Sequence, residues 1–557
     1  MVKLNYKKSF FFLLAATFLL NLLQALYTGI LSDEAYYGLY GANLSWGYFD
    51  HPPMVALFVK LSSLLFSGTL GIRFMTVVAH VFTILLIWKL IEEDHPDNRK
   101  TALFFLMVSS SVMFSAFGFV TTPDSPLLLF VALFLYAYRN FLKEKSWRTV
   151  ILLSVAMAGM IYSKYQAAIV IALVVISNLR LLRSGKFWLS GIFGLFLLFP
   201  HFYWQYIHDF PGFKYHLVDR SDIFKWRYIL EFIPNQLAVF NPFIFCAIVY
   251  VLLKYKAKDT FERALWFLII GFIAFFWITG FRGHVEPHWT IAAAVPMIIL
   301  LYRRTMENKK LMGYVMKVIL PSLLLVLLLQ ILIVVNDRVK TEAGFDKRRA
   351  EIEFAGELTG NIPVLYIGSF QNPSMYTFFN KNKALLISTL YTRRTQFDIW
   401  QWETQYNNKA VFVCADIPGK SGIFKKGEQS VTGFFTDSLQ TVTRMNIRFI
   451  FPSDTIVSGQ NIVITCTIQN PYPYSIDFNH RQFPVELKAA LLKNKETFLQ
   501  QVQLDQAIGI IQPGQSIDRT LSFVFPRLGK GKYQFGLSLN NCLGPSLSSN
   551  FKKVYLE

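Results

Sequence analysis

The first two-thirds of the chain consists of long apolar runs separated by short polar segments. A helix needs about 20 mainly apolar residues to cross a bilayer, and several runs are shorter, so the number of spans is predicted only to within one or two. The first run also has the position of a signal peptide, but further runs follow it and no small-residue cleavage site is evident, which favours a membrane helix. The predicted spans are eleven, near residues 9–29, 68–90, 101–120, 126–142, 149–163, 166–182, 187–206, 236–253, 264–281, 289–302 and 312–335.

The remainder of the chain follows a different pattern. Polar residues return after residue 336, and no later run is long enough to cross a membrane. Strand-like segments alternate with a helix-like stretch near residues 372–380, which predicts a small α/β domain over residues 337–440. Short alternating segments separated by turns then predict a β-sandwich over residues 441–557. The predicted organisation is therefore a membrane domain at 1–336 followed by these two domains.

Composition supports an integral membrane protein. Of the 557 residues, 53% are hydrophobic and 16% are charged, whereas soluble domains carry about 25% charged residues. These values exclude a disordered chain and are unlike those of a cytosolic enzyme. The net charge of +20 is spread mostly over the loops between apolar runs, and the sequence has no nucleic-acid-binding motif. Membrane lipids are therefore expected partners, and nucleic acid is not.

Basic residues indicate which loops face the cytoplasm, because Lys and Arg are enriched there. With the N-terminus (Lys7, Lys8) inside, every second loop is basic, at residues 99–100, 139–148, 180–186, 254–263 and 303–310. The long loops 31–67 and 207–235 then lie outside, as does the tail after residue 336. The usage of Lys, Asn, Ile and Phe favours a bacterial inner membrane, so we expect a multi-pass protein with a periplasmic C-terminal region.

The first external loop carries the densest set of reactive side chains. The segments Ser32-Asp-Glu-Ala-Tyr-Tyr37 and Trp46-Gly-Tyr-Phe-Asp-His-Pro-Pro53 place three carboxylates, one His and several aromatic rings at one membrane face. A carboxylate just outside hydrocarbon is partly desolvated, which raises its pKa and suits it to act as a general base for a hydroxyl or amine. An acidic helix N-cap has the same residue types, so this alternative stays open.

These two segments closely resemble the first loop of the GT-C membrane glycosyltransferases, in the branch of the protein O-mannosyltransferases and the aminoarabinose transferase that modifies lipid A. Residues 121–124, 163–166 and 285–289 agree with this branch in order and topology. The resemblance covers about residues 9–335, whereas the tail matches only loosely, through residues 371–376 and 395–400. It implies a GT-C fold for the polytopic α-helical domain.

The resemblance also implies an inverting transfer of a sugar from a polyprenyl-phosphate carrier to an acceptor hydroxyl. Asp33 is the expected catalytic base, and Asp124 either orients the acceptor or assists Asp33. A lipid phosphate is a good leaving group, so the site needs positive charge rather than a strong acid, and Lys164 and Arg282 are the candidates. The alternatives are a turn and cap role for Asp124 and snorkelling at the interface for Lys164 and Arg282.

Four more residues are candidates for contact with substrate: Glu34, Asp50, His51 and Glu286. The lipid A branch has a Lys beside an acid, ahead of Pro, in the first loop, whereas this chain has Asp50-His51-Pro52. His51 donates to a phosphate, but its charge near neutral pH depends on its surroundings. This departure indicates a distinct subgroup and leaves the sugar open, as well as the choice between lipid A, another glycan and a protein as acceptor.

No metal or cofactor is expected. The His and carboxylate residues of the external loops, among them His51, His284 and His288, show no recognisable ligand spacing, and the matching branch looks metal-independent. The lipid-linked sugar is a co-substrate rather than a cofactor. Cys466 and Cys542 are expected either to pair, if their region is exported, or to remain free buried thiols.

The loop 207–235 is polar, aromatic and basic although it is external, and it includes Arg220 and Asp222. Basic residues against the positive-inside trend indicate an anionic ligand such as a lipid phosphate or lipopolysaccharide. An amphipathic helix on the membrane surface fits the same residues. A loop of this length also suits a lid over the substrate.

Two other function classes fit parts of the sequence. A transporter or flippase for lipid-linked sugars places charges in mid-bilayer and often has paired broken helices, whereas here the charges gather at the external face. A membrane-anchored binding protein would work through its tail, which gives no reason for eleven spans or for the first-loop carboxylates. The sequence therefore favours a transferase, with the flippase as the alternative.

Overall fold

The computed structural model describes residues 6–219, 224–451, 455–493 and 496–557. The chain forms two compact units, Met1–Lys347 and Arg348–Glu557. The unit boundary lies beyond the predicted one at residue 336, because the chain after the last long helix packs back on the first unit. The backbone of Asp346 donates to the carbonyl of Ile30 at 2.8 Å, and its carboxylate accepts from the Ile30 N–H at 2.8 Å.

The first unit is α-helical throughout its described residues. Short 3-10 helices occur at Leu179–Arg183, Gly280–Arg282 and Pro287–Ala293, and a π-helical turn lies at Tyr215–Asp219. The α-helices are α1 (Tyr6–Tyr27), α2 (Ser32–Ala42), α3 (Met54–Ser63), α4 (Gly68–Ile91), α5 (Asn98–Ser109), α6 (Val112–Ala116), α7 (Asp124–Lys143), α8 (Trp147–Ser163), α9 (Ala167–Ser177), α10 (Gly185–Ile207), α11 (Pro211–Lys214), α12 (Trp226–Leu230), α13 (Phe232–Phe240), α14 (Pro242–Lys254), α15 (Thr260–Thr279), α16 (Ala294–Glu307), α17 (Lys309–Val335) and α18 (Asp337–Glu342).

Six helices within the described residues are long and apolar enough to cross a membrane: α1, α4, α7, α10, α15 and α17. A bent pair ending in α14 makes a seventh if it counts as one span. The remaining predicted runs coincide with shorter helices, so a multi-pass membrane protein is confirmed while the count of eleven crossings stays a prediction.

The shorter helices have identifiable causes. The chain bends by 106° where α13 meets α14. Asn241 there has a φ of 74°, and its side chain accepts from the N–H of Phe243, while Pro242 supplies no N–H and suits the first position of the new helix. The predicted run 101–120 likewise divides at Ser110 and Ser111 into α5 and α6.

Polar caps start several helices at the end of the bundle where the basic loops lie. The side chain of Asp97 accepts from Lys100 N at 2.8 Å, and that of Asp259 accepts from Glu262 N at 2.7 Å. Asn308 accepts from two backbone N–H groups at the start of α17. These caps satisfy N–H groups that have no partner within the helix.

The second unit begins with an α/β region. Its helices are α19 (Arg349–Thr359), α20 (Gln371–Asn380) and α21 (Gln396–Trp400), and its strands are β1 (Val364–Ile367), β2 (Ala384–Ile387), β3 (Val411–Cys414), β4 (Gly422–Lys426) and β5 (Gln429–Thr436). The sheet order is β2-β1-β3-β5-β4. The strand β1 runs parallel to both β2 and β3, and β5 is antiparallel to β3. This part of the chain therefore mixes helices with a partly parallel sheet, and its division from the β-rich part as a separate domain stays a prediction.

The rest of the second unit is β-structure. Its strands are β6 (Asn446–Phe449), β7 (Thr455–Ile456), β8 (Asn461–Gln469), β9 (Ile476–Asp477), β10 (Glu486–Lys493), β11 (Glu496–Gln501), β12 (Gln503–Leu504), β13 (Ile510–Ile511), β14 (Ser516–Val524), β15 (Gly531–Asn541), β16 (Gly544–Pro545) and β17 (Lys552–Leu556). The two larger sheets run β11-β10-β15-β17-β7 and β12-β14-β8-β6.

Alternation along the strands builds the core between these sheets. In β8 the buried residues are Ile462, Ile464, Cys466 and Ile468, and their neighbours in sequence are more exposed. Successive side chains of a strand point to opposite faces, so this alternation is the expected pattern of a sandwich. Cys466 is a free thiol in this core, and Cys542 is also free. Of the two expectations for these cysteines, the structure therefore shows unpaired thiols rather than a disulfide.

Candidate active site

The connections that follow α1, α6, α8 and α15 meet at one end of the helix bundle. The N–H of Thr121 donates to Oε1 of Glu34 at 2.9 Å. Nζ of Lys164 lies 2.8 Å and 2.9 Å from the two carboxylate oxygens of Asp124. Nε2 of His288 lies 3.7 Å from Oδ2 of Asp124. Residues predicted in four separate loops are therefore brought together.

Glu34 forms a buried ion pair with Arg73 of α4. Nε of Arg73 lies 2.7 Å from Oε1 of Glu34 and Nη2 lies 2.5 Å from Oε2, and both side chains are fully buried. The same carboxylate accepts from the N–H of Leu31 at 3.2 Å, which caps α2. With its oxygens occupied by protein donors, Glu34 holds the start of α2 against α4 and the Thr121 loop.

Asp33 has the opposite environment, although it is the neighbour of Glu34. It lies in the first turn of α2 and its side chain is exposed. A helix N-terminus favours a negative charge in its first turn. The N-cap alternative predicted for this segment is thus carried by Glu34, whereas Asp33 is exposed.

Tyr37 is the centre of the acidic cluster. Its side chain is buried, with 6% exposed. Burial raises the pKa of Tyr37 well above its usual value, and the negative charges of Asp33, Asp50 and Asp124 raise it further. The charges of three carboxylates from two loops therefore act on one phenol, which stays protonated at neutral pH and is able to donate a hydrogen bond.

Asp50 is held by a hydroxyl beneath the first loop. The phenol of Tyr40 donates to Oδ1 of Asp50 at 2.6 Å. Nε2 of His216 lies 2.9 Å from the carbonyl of Asp50, and Nε2 of His51 lies 3.3 Å from the phenol oxygen of Tyr37. These contacts tie the π-helical turn at residues 215–219 to the Asp50-His51 segment.

A second polar network lies beside this one. The phenol of Tyr165 is 3.1 Å from Nε2 of His201 and accepts from Nε2 of Gln205 at 2.8 Å. Nδ1 of His201 lies 2.6 Å from the carbonyl of Trp46. Burial, followed by the charge of Asp50, raises the pKa of Tyr165 above its usual value. The network fixes the Trp46 segment and α10 relative to each other.

A cavity of about 620 Å³ opens next to these residues. Its polar lining includes Tyr165, His216, Arg282 and His284, and its apolar wall includes Phe275 of α15. Arg282 is exposed. Nε2 of His284 lies 3.7 Å from Oε2 of Glu286. The cavity thus combines a cationic mouth with an apolar wall.

A second, apolar groove of about 410 Å³ is lined mainly by residues of the first external loop. It is lined by Leu44, Ser45, Trp46, Pro53, Met54, Leu57 and Tyr162. Trp46, Leu44 and Leu57 are exposed large apolar side chains. An exposed apolar groove of this size fits a hydrocarbon chain.

Each predicted site residue thus has a place in the described part of the chain. Asp33, Asp50, Asp124, His51 and Lys164 lie in or beside one cluster. The structure adds partners that the sequence did not identify, namely Tyr37, Tyr40, Arg73, Tyr165, His201, Gln205, His216 and His288 as a partner of Asp124. Their signal in the sequence is weak because isolated Tyr and His residues are common within helices. Arg220 and Asp222 lie outside the described residues.

Within the described ranges no group of three or more His, Cys, Asp or Glu side chains is arranged to hold a metal ion. Lys164 contacts Asp124 and Arg282 lines the adjacent cavity, and positive charge of this kind stabilises a departing phosphate.

Known proteins share this architecture and part of the sequence. Residues 50–204 match the family described as dolichyl-phosphate-mannose-protein mannosyltransferase. The lipid A galacturonosyltransferase RgtD of Rhizobium johnstonii is 24% identical over 293 residues, which are 49% of this chain and 60% of that protein. The chain therefore aligns with less than two thirds of this relative.

Solved structures give the fold. The structure of ArnT from Cupriavidus metallidurans in the apo state superposes with a TM-score of 0.55 at 13% identity, covering 76% of this chain and 97% of ArnT. ArnT bound to undecaprenyl phosphate superposes over the same shares with a TM-score of 0.49. The apo structure, together with the two sequence matches, confirms the predicted resemblance to GT-C glycosyltransferases of this branch and the predicted polytopic fold class.

Proposed function

We propose that this chain, with its resemblance to the GT-C glycosyltransferases, transfers a sugar from a polyprenyl-phosphate carrier to an acceptor hydroxyl with inversion at the anomeric carbon. The Asp33 carboxylate takes the proton of the acceptor hydroxyl as its oxygen attacks the anomeric carbon. The bond from that carbon to the phosphate oxygen breaks, and polyprenyl phosphate leaves with the electron pair. The acceptor is a component of the cell envelope: lipid A, another glycan or a protein.

The contrast between two adjacent carboxylates carries the assignment of the base. Glu34 is enclosed by Arg73 and two backbone donors, and Asp124 and Asp50 are buried against Lys164 and Tyr40. Asp33 is exposed at the same cluster. A general base must be within reach of the proton it removes, so the accessible carboxylate suits this role best. Asp124 and Glu286 are proposed to orient substrate.

The lipid-linked sugar donor is proposed to bind in the cavity that Arg282 lines. A guanidinium stabilises negative charge on a departing phosphate, and the His216 and His284 side chains in the same lining offer further donors. The apolar wall from α15, including Phe275 and Ile278, suits a polyprenyl chain. Nζ of Lys164 donates to both carboxylate oxygens of Asp124. In this proposal Lys164 therefore positions Asp124 and offers its remaining N–H to the phosphate.

The leaving group decides the cofactor proposal. Because a lipid phosphate departs without strong acid assistance and side-chain cations are at hand, we propose that transfer needs no bound divalent metal.

We also propose that the site lies at the periplasmic face of a bacterial inner membrane, with the N-terminus cytoplasmic. A single cysteine in place of the exposed Asp337, in a variant lacking the four native cysteines, should then react with a membrane-impermeant maleimide on intact cells.

The decisive experiment measures free polyprenyl phosphate. The purified protein in nanodiscs receives a membrane extract of polyprenyl-phosphate sugars and envelope acceptors, and mass spectrometry follows the released carrier lipid. Wild type, Asp33→Asn and Asp337→Asn are compared. The last is a matched control, since the Asp337 side chain is 94% exposed in α18.

We expect release by wild type and by the control. Loss of a general base lowers the rate by about 10²–10⁴-fold, so Asp33→Asn should fall by that factor. Equal release by Asp33→Asn would contradict the base assignment and move it to Asp124. Bound but intact lipid-linked sugar in every sample, with acceptor present, would favour the flippase alternative. A protein that binds no such lipid would refute the transferase proposal.

A further inference from the structure

A separate cavity lies within the second unit, at the α/β sheet. Its volume is about 290 Å³. This is at the lower end of the range for small-molecule sites, about 300–1,000 Å³. Its lining consists of Arg348, Glu351, Ile352, Ala355, Tyr366, Asn372, Cys414, Ala415, Asp416, Ser430, Val431 and Thr432.

The sheet topology puts this cavity where α/β sheets bind ligands. From β1 the chain passes through α20 to β2 on one side, and then through α21 to β3 on the other side of β1. Tyr366 lies near the carboxyl end of β1, and Cys414 ends β3. Ligands of open α/β sheets bind in the crevice at such a reversal, outside the carboxyl ends of the strands.

Secondary structure and side chains supply polar groups around the crevice. The helix α20 begins directly after β1, and Asn372 is in its first turn. Arg348 precedes the first turn of α19 and forms an ion pair with Glu351 at 2.7 Å. Ser430 and Thr432 of β5 offer hydroxyls, which both donate and accept. The crevice therefore presents mixed donors and acceptors rather than one apolar surface.

The charges of the lining narrow the ligand class. Arg348 is already paired with Glu351, and Asp416 adds a further carboxylate to the lining. A lining with one guanidinium and two carboxylates disfavours a polyanion such as a sugar phosphate, because the carboxylates repel it. Neutral hydroxyl groups meet both the donors and the acceptors.

We propose that this crevice binds a neutral saccharide of one or two rings. The choice of a saccharide among neutral polar ligands rests on the proposed function, in which a glycan-bearing acceptor reaches this protein. Asn372 and Thr432 hydrogen-bond the sugar hydroxyls, and Glu351 and Asp416 accept from them. This gives a role to the segment at residues 371–376, which the resemblance to transferases had matched only loosely.

Cys414 provides a probe inside the crevice. Its thiol is half-buried, and burial raises its pKa to about 11. In the full-length protein in nanodiscs at pH 9, alkylation of Cys414 by iodoacetamide is followed by mass spectrometry, with and without glucose, galactose, N-acetylglucosamine or lactose. Glucose 1-phosphate tests the anionic class, and glycerol is the control for solvent effects. The measurements use an Asp337→Cys background, whose introduced thiol lies at an exposed position of the first unit and is the internal reference.

At a sugar concentration about ten times the Kd, the alkylation rate of Cys414 should fall about tenfold, since only free protein reacts. The alkylation rate of the thiol introduced by Asp337→Cys should not change. The variants Asn372→Ala and Thr432→Val should abolish the protection, while their Cys414 rates without sugar match wild type. Asp33→Asn should keep the protection, because that residue belongs to the other unit, so this test and the carrier-release test fail independently.

Three results would overturn the proposal. The first would be that no neutral sugar protects Cys414 more than glycerol does. The second would be that glucose 1-phosphate protects Cys414 while the neutral sugars do not. The third would be that Asn372→Ala and Thr432→Val both retain full protection, which would place the sugar elsewhere.

Discussion

Replacing Glu34 by Gln removes the charge that neutralises Arg73 in the interior of the first unit. The Glu34 carboxylate accepts hydrogen bonds from Nε of Arg73 at 2.7 Å and from Nη2 of Arg73 at 2.5 Å. It also accepts from the backbone N–H groups of Thr121 at 2.9 Å and Leu31 at 3.2 Å. Gln keeps the volume but has one acceptor oxygen, and its amide group directs N–H bonds at existing donors. Arg73 remains fully buried without a counter-charge.

Breaking one partner of such a pair costs about 3–5 kcal/mol. Because each 1.4 kcal/mol is a tenfold change in an equilibrium constant, the ratio of folded to unfolded protein should fall by about 10²–10⁴. Arg73 also donates to Thr28 at 2.8 Å and to the carbonyl of Ala25 at 3.1 Å, so misplacing it also loosens the junction of α1 with α2.

The assay is reversible unfolding in mixed micelles with increasing SDS, followed by circular dichroism. Wild type, Glu34→Gln, Arg73→Leu, Asp33→Asn and the double variant Glu34→Gln/Arg73→Leu are compared. We expect Glu34→Gln to unfold at lower SDS and Asp33→Asn to match wild type, since Asp33 is exposed. The double variant should lose less than the sum of its single variants, because neither charge is then left unpaired.

This reasoning would be refuted if Glu34→Gln unfolded at the same SDS concentration as wild type and yet lost carrier release. Glu34 would then act on substrate, as one of the sequence-based alternatives holds, and the ion pair with Arg73 would not be its main role.

Four further outcomes are expected. Arg282→Leu should weaken binding of the lipid-linked donor by about 10–100-fold, the loss of one hydrogen bond to a charged group, measured by donor retention on nanodiscs; equal retention would remove Arg282 from the phosphate site. Dialysis against EDTA should leave carrier release within about twofold of the untreated enzyme, since side-chain cations supply the positive charge; a loss restored by Mn²⁺ or Mg²⁺ would contradict metal independence. Alkylation of Cys414 should speed up about tenfold per pH unit from pH 8 to 10, because the fraction of reactive thiolate rises tenfold per unit below its pKa of about 11. A rate that levels off below pH 10 would show an ordinary thiol. Asn241→Ala should cost about 1–3 kcal/mol through the lost cap and the lost bond from the Asn241 amide to the Ser110 carbonyl. Asn241→Gly should lose less, because glycine tolerates the positive φ without a β-carbon; SDS unfolding compares the two, and equal losses would argue against backbone strain.

Much of the architecture follows from local patterns. Long apolar runs give the helices of the first unit, since a segment such as 312–335 has no other stable form in a bilayer. Alternation in segments such as 461–468 gives the strands of the sandwich. The exact helix boundaries do not follow, because Asn241 with Pro242 and the Ser110-Ser111 pair break runs that hydropathy reads as continuous.

The candidate site was predictable only in part. The first-loop segments and residues 121–124 identified Asp33, Asp50 and Asp124 as site candidates, and the charges of all three act on Tyr37. Nothing local distinguishes Asp33 from Glu34, which are neighbours in the same helical turn. Arg73 lies 39 residues away from Glu34 in sequence, so the difference between them depends on a contact that no local pattern records.

Local patterns alone predict that this chain crosses a membrane repeatedly, that a β-rich region follows, and which loops hold the reactive side chains, because hydropathy and residue spacing act over short stretches of chain. Packing determines which carboxylate is enclosed and which is accessible, that Lys164 and His288 share Asp124, and that a crevice opens between β1 and β3. These features depend on burial and on partners distant in sequence, and burial is a property of the packed molecule rather than of any one segment.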